Sequence, residues 1–172
     1  MIPINLTELT TLLELPAPRV GGDEMVRSVT TDSRTARTEG VFVAIDGERH
    51  RGSDHAVAAL RRGALAVVSP RIPEASGADG RIFVVADPRA ALLRLAADQR
   101  RRCPARVAAI TGSNGKTTTK DLLGTLMKRQ GETVVAANSF NNAIGLSLTL
   151  LEATSSTKWM ILEIGTNAPG EV

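Results

Sequence analysis

The sequence predicts an α/β protein in two parts: a small N-terminal α/β domain over residues 1–104, then the first part of a parallel-sheet domain over residues 105–172. Three observations carry this. Short runs rich in Val, Ile and Ala alternate along the chain with segments of helical period. The character changes around Cys103-Pro104, where an Arg-rich helix end gives way to a purely apolar run. A glycine-containing loop, Thr111–Thr119 (TGSNGKTTT), then stands between that run and a new helical pattern.

Leu6, Leu9, Leu12, Leu13 and Leu15 recur at helical spacing after Asn5, a suitable N-cap, and Pro16 ends the pattern. Ser28–Thr31 and Val41–Ile45 read as strands, the second stopped by the turn Asp46-Gly47. Asp54 is placed to cap a helix running to Arg62 and closed by Gly63. Ala64–Val68 is the third strand, ended by Ser69-Pro70, and the Pro/Gly/Ser-rich stretch Pro70–Gly80 reads as a surface loop. Ile82–Val85 is the fourth strand, and Pro88 suits the first turn of a helix reaching about Arg102.

In the second part Val107–Ile110 reads as a fully buried parallel strand. Thr117–Arg129 follows as a helix, with Leu122, Leu123, Leu126 and Met127 at helical spacing. Thr133–Ala136 is a strand, Ala143–Leu151 a helix and Trp159–Ile164 a strand. That makes three central strands, where nucleotide-binding sheets commonly have five or more. The chain therefore reads as an N-terminal fragment of a longer protein.

Composition narrows the function classes. A hydrophobic share of 42% with mean hydropathy near zero supplies a real core. The aromatic side chains are Phe42, Phe83, Phe140 and Trp159, so the core is expected to be aliphatic. Platforms for stacking single-stranded bases are nearly absent, and no nucleic-acid partner is expected. The net charge of +3, carried mostly by Arg, suits an anionic small molecule. Arg100–Arg102 is the one tight cationic run, and it reads as a helix end whose cations complement the helix dipole. Cys103 is the sole cysteine, which excludes an internal disulfide and reads as packing. The N-terminus lacks the basic and apolar regions of a signal peptide, and no apolar run approaches the ~20 residues that span a bilayer. A cytoplasmic monomer without membrane insertion is expected.

The glycine loop carries the chemistry. A strict phosphate-binding loop reads GxxxxGK[ST], and here Ile110 stands where its first glycine would be, with Gly112 two residues later. The working parts remain. Gly112 and Gly115 let backbone N–H groups approach phosphate oxygens, and the following helix points its positive end at them. Lys116 can reach β/γ-phosphates, and the Thr117 hydroxyl can coordinate Mg²⁺. Glu163 lies near the C-terminal end of a hydrophobic strand, on the edge where parallel sheets hold ligands. It is either a metal ligand or a strand-end carboxylate facing water. Asn138, Asn141 and Asn142 follow the preceding strand, where helix capping and ligand contact are equally compatible with the residues.

Three segments in succession, ITGSNGKTTTK from Ile110, NSFNNAIGLSLTLL from Asn138 and LEIGTNAPGE from Leu162, resemble motifs of the Mur ligase family. The shortened loop is that family's form of the phosphate-binding loop. In the N-terminal half Thr31-Asp-Ser-Arg34, Gly40-Val-Phe-Val-Ala44 and Gly63-Ala64 resemble the family's uridine-nucleotide-binding domain. Asn141-Asn142-Ala-Ile-Gly145 is similar to the branch that adds D-alanyl-D-alanine rather than to the branch that adds the third peptide residue.

The resemblance implies ATP-dependent C–N ligation in peptidoglycan synthesis, and thus in cell wall biogenesis, cell shape and division. UDP-N-acetylmuramoyl-tripeptide, D-alanyl-D-alanine and ATP would give the pentapeptide precursor, ADP and phosphate through an acyl phosphate. It implies that Gly112, Ser113, Asn114, Gly115 and Thr118 cradle phosphate, with Asn138 and Asn142 also on the nucleotide side. Lys116 would hold the β/γ-phosphates, Thr117 would bind a first Mg²⁺, and Glu163 would help ligate a second Mg²⁺ between ATP and the acceptor carboxylate. Asp32, Ser33 and Arg34 would face the uridine diphosphate. His50 and His55 read on their own as a polar loop leading into a helix, and the resemblance puts that loop near the uridine nucleotide.

Family members run to more than twice this length and complete the ATP site beyond residue 172, so this fragment alone is expected to show no ligase turnover. Two alternatives stand beside this reading: the ligase that adds the third residue, and a non-catalytic uridine-nucleotide-binding module. A folylpolyglutamate-type ligase fits less well, because Gly115-Lys-Thr-Thr118 stands where that group has G-K-G-S.

Overall fold

Asn5 opens the first helix as its side-chain chemistry dictates. Its Oδ1 accepts the Glu8 N–H at 2.7 Å, while Glu8 Oε2 accepts the Asn5 N–H at 2.9 Å, a complete capping box. The computed structural model describes residues 1–18, 21–48, 50–73, 81–137 and 140–165. They form two compact units, Pro3–Leu95 and a second from Ala96 onward that includes Met1–Ile2.

In the first unit β1 (Ile4–Asn5) pairs antiparallel with β2 (Met25–Val26), and α1 (Leu6–Leu12) lies between them in sequence. The helix stops earlier than Pro16 would require. Leu13 is its C-cap and Glu14 turns the backbone left-handed at φ 58°. The main sheet holds β3 (Ser28–Thr30), β4 (Gly40–Val43), β5 (Ala66–Ser69) and β6 (Ile82–Val84) in that order, all parallel. The central strands β4 and β5 are buried at every position, which their unbroken apolar runs require.

Helix α2 (Ala56–Arg61) packs Ala56 and Ala59 against Phe42, Ala44, Ala64 and Val67. Phe42 heads the fully buried side chains by volume, so the expected aliphatic core is corrected at this position. Alanines on the facing helix leave the room that one ring fills. Asp54 does not cap α2. A 3₁₀ turn, Gly52–His55, precedes the helix, and Asp54 is instead drawn to Arg71 at 2.6 Å.

Helix α3 (Pro88–Arg102) begins at its proline as the sequence predicts. Its basic last turn is tied down locally: Arg100 donates to the Cys103 carbonyl at 2.9 Å, and Arg102 Nε meets Asp98 at 2.7 Å. The second unit continues with β7 (Arg106–Ile110), α4 (Lys116–Lys128), β8 (Thr133–Val135), α5 (Ala143–Leu151) and β9 (Trp159–Glu163). The sheet order is β7-β9-β8, all parallel, so both helices serve as crossovers. Cys103 is buried with Ala105, Ala153 and Met160, which fits a packing role.

Two expectations for this unit are corrected. β7 is not fully buried: Val107 is 38% exposed, because among the described residues β7 is paired on one side only. Leu122 and Leu126 of α4 do not face the sheet, being 64% and 55% exposed, whereas Leu123 and Met127 are half-buried. The inward face carries Lys120 and Gly124 instead. Val135 lies so close to Gly124 that a Cβ there would stand 2.7 Å from a valine methyl. Of the expected Pro70–Gly80 loop, positions 74–80 lie outside the described residues. No helix among the described residues is long and apolar enough to cross a membrane.

Candidate functional site

The parallel ladder of the second unit sets the first site. Register pairs Ile110 with Glu163, so the residue entering the glycine loop and the last residue of β9 lie side by side at the C-terminal edge. From Ile110 the chain turns through Gly112 and Gly115, at φ 138° and 75°, a region side chains resist. Gly115 is the N-cap of α4 and supplies no side-chain bond to it. The first N–H groups of α4 are therefore left for an incoming anion. Gly112, Ser113, Asn114, Thr117 and Thr118 are exposed on this rim. Lys116 Nζ donates to the Gly112 carbonyl at 2.6 Å, across the loop mouth.

Beneath the rim lies a buried carboxylate. Glu163 is 2% exposed, so it does not simply face water. Its Oε2 accepts the Thr117 hydroxyl at 2.8 Å and its Oε1 accepts the Asn141 amide at 3.1 Å. Thr117 and Glu163, named separately from the sequence, are thus brought into direct contact, and Asn141 joins them. Asn142 caps α5 through Gly145 N at 2.8 Å, which favours its capping role. Asn138 lies outside the described residues.

The first unit holds a second candidate site, a cavity of about 690 Å³. Asp32, Ser33 and Arg34 line it together with His50 and His55, so two stretches about twenty residues apart in sequence converge there. Asp32 accepts the Arg34 guanidinium at 2.6 Å, and this pairing holds its carboxyl down at about 2. Arg34 is consequently engaged. Arg62, at the end of α2, also lines the cavity and makes no hydrogen bond or ion pair through its side chain among the described residues. Phe42 forms part of the wall. Neither was named as a site residue from the sequence, where Phe42 lies inside a strand and Arg62 at the end of a helix.

A parallel sheet with a glycine loop opening a helix at its C-terminal edge defines a phosphate-loop α/β protein. Comparison with known proteins sharpens that class. Residues 25–100 match the Mur ligase family, catalytic domain, and residues 110–172 match the Mur ligase middle domain. The chain belongs to the Mur ligase family.

It is 37% identical over its whole length to the UDP-N-acetylmuramoyl-tripeptide–D-alanyl-D-alanine ligase of Escherichia coli strain K12, spanning 37% of that relative. A crystal structure of MurF from Acinetobacter baumannii superposes at TM-score 0.83 with 29% identity, over 98% of this chain and 37% of that one. The MurF ligase of Thermotoga maritima in complex with ADP superposes at TM-score 0.72 with 33% identity, over 85% of this chain and 34% of that one. The chain therefore spans about 37% of the length of the curated relative from Escherichia coli.

Proposed function

We propose that this chain supplies the uridine-nucleotide-binding part (1–104) and the phosphate-binding part of the middle domain (105–172) of an ATP-dependent ligase. That ligase joins D-alanyl-D-alanine to UDP-N-acetylmuramoyl-tripeptide in the cytoplasm, as a monomer. The observation that carries the reading is the contact of the Thr117 hydroxyl with the buried Glu163 carboxylate directly below the glycine loop.

The donors fit Mg²⁺. A hydroxyl and a carboxylate oxygen are hard ligands, and a single carboxylate suits a cation that shares its coordination with substrate phosphates. Among the described residues no cluster of three or more His, Cys, Asp or Glu competes as an all-protein metal cage. When bound, the metal would neutralise charge developing on the phosphate oxygens.

The loop backbone at Gly112–Gly115 and the start of α4 would hold the phosphates, and Lys116 would leave Gly112 for the β/γ oxygens. Thr117 and Glu163 would present their oxygens at one point. The acceptor carboxylate oxygen attacks the γ-phosphorus and ADP leaves. The amine of D-alanyl-D-alanine then attacks the acyl carbon, phosphate departs and the amine loses a proton. Positioning and charge neutralisation supply most of the rate. In the first unit Asp32, Ser33 and Arg34, with Arg62, would face the uridine diphosphate.

Isothermal titration of the chain with MgADP and, separately, with UDP tests both halves. Binding of both is expected. UDP binding without MgADP binding would leave only a uridine-nucleotide module.

A further inference from the structure

One lysine is buried where packing alone gives it no reason to be. Lys120 sits on the sheet-facing side of α4 at 2% exposure. Its Nζ donates to the Ala136 carbonyl at 2.7 Å and lies 3.1 Å from Asp121 Oδ1. An aliphatic side chain would fill the same space without desolvating a charge. The ammonium therefore does something that an apolar residue there would not.

Its position says what. Lys120 follows Lys116 by four residues and Thr117 by three, so it lies one turn below them on the same side of α4. Ala136 is the first residue past β8, and its N–H is fixed on the Ile161 carbonyl at 2.9 Å, in the neighbouring strand. Lys120 thus ties the phosphate-side helix to the end of β8 and, through Ala136, to β9. At the far end, the Asn141 carbonyl accepts Gly165 N at 2.9 Å while its amide holds Glu163. The contacts close a ring: Thr117 to Glu163, along β9 to Ile161, Ile161 to Ala136, and through Lys120 back to α4 three residues from Thr117.

We propose that Lys120 is a positioning residue for the divalent-cation site. By gripping the Ala136 carbonyl, whose own N–H is bonded to β9, it sets the distance between α4 and the end of β9, so that Glu163 stays held against Thr117. This rests on the nucleotide-binding reading of the glycine loop.

The test is ADP binding by the full chain, with Mg²⁺ titrated and with Mg²⁺ removed, alongside thermal unfolding. Lys120→Met keeps the stem and removes the ammonium. It is expected to weaken Mg²⁺-dependent ADP binding by about tenfold, the lower range for outer partners of metal ligands. Metal-free ADP binding should stay within about twofold. Lys120→Arg keeps a donor near Ala136 and should recover part of the loss. A Mg²⁺ dependence like that of the wild type in Lys120→Met overturns the proposal. So does an equal loss with and without Mg²⁺ that follows a lower Tm, because that is a purely structural lysine. Should Lys120→Met not fold, Lys120→Arg decides: a loss confined to the Mg²⁺ titration supports the proposal, and none sinks it. Wild-type chain that binds no ADP under either condition removes the nucleotide reading itself, and this proposal with it.

Discussion

The two units carry sites built on opposite plans. The second unit makes its cradle from backbone, two glycines and a helix start, with a carboxylate buried beneath. The first unit makes its cavity from side chains: Asp32 and Arg34 from one turn, His50 and His55 from another, and Arg62 from a helix end. A backbone cradle needs particular residues at fixed spacing, because only glycine tolerates its torsions and only a helix start offers free N–H groups. A side-chain cavity needs only convergence, which tertiary structure supplies. The first plan is therefore written locally in the sequence and the second is not.

Four experiments sharpen or break that contrast. The largest effect is expected at Phe42, which serves both the core of the first unit and the wall of its cavity. Phe42→Ala should cost about 3–5 kcal/mol in chemical denaturation, as for other buried Phe truncations, and should abolish UDP binding. MgADP binding that disappears with it would show that the two sites are not energetically separate.

Lys116→Ala comes next. It should weaken MgADP binding by about 10- to 100-fold, which corresponds to the ~1.5–3 kcal/mol of a hydrogen bond to a charged group. UDP binding should be untouched, as titration of both ligands against one preparation would show.

Arg62→Ala reverses the pattern, weakening UDP by about 2- to 10-fold for a net hydrogen bond of ~0.5–1.5 kcal/mol. Its Tm should stay close to the wild type, since among the described residues the Arg62 side chain makes no hydrogen bond or ion pair and acts on Asp32 only as a nearby charge. An unchanged UDP affinity would remove Arg62 from the site.

The smallest effect is electrostatic. Asp32 is held at about 2, below its ordinary 3.8, chiefly by hydrogen bonds from Arg34. A carboxyl lowered in the folded state contributes fully above its ordinary value, and the contribution is lost as pH falls through about 2. Carboxyl NMR should find the Asp32 midpoint near 2. Arg34→Ala should return it toward 3.8. Glu132, held at about 2 by the hydroxyls of Thr154, Ser156 and Thr157, is an internal control that the same change leaves alone.

The sequence made much of this legible, for identifiable reasons. The Asn5 cap, the Pro88 start of α3 and the extent of α5 were readable because capping and proline chemistry act over a few residues. The inward face of α4 was not. Leu122 and Leu126 satisfy the helical period as well as any core stripe, and only the close approach of Val135 to Gly124 reveals which face packs. Asp54 misled for a similar reason, since a capping-type residue near a helix start also pairs with any arginine the fold brings near. At the loop, Lys116 and Thr117 could be named from spacing and Glu163 from its place on a strand. The role of Asn141 against Glu163 was a question of which amide points inward, which spacing does not encode.

The pairing of Ile110 with Glu163 has a consequence for how the gene can change. The span between the loop and the carboxylate is one interstrand step, about 4.8 Å, set by the ladder. Exposed turns can gain or lose residues with little effect on that spacing. A single insertion or deletion within Trp159–Glu163 cannot pass so quietly, because strand residues alternate faces and a one-residue slip turns the carboxylate away from Thr117. Length variation in this unit should therefore collect at the turns, while these five positions hold their count even where their identities drift.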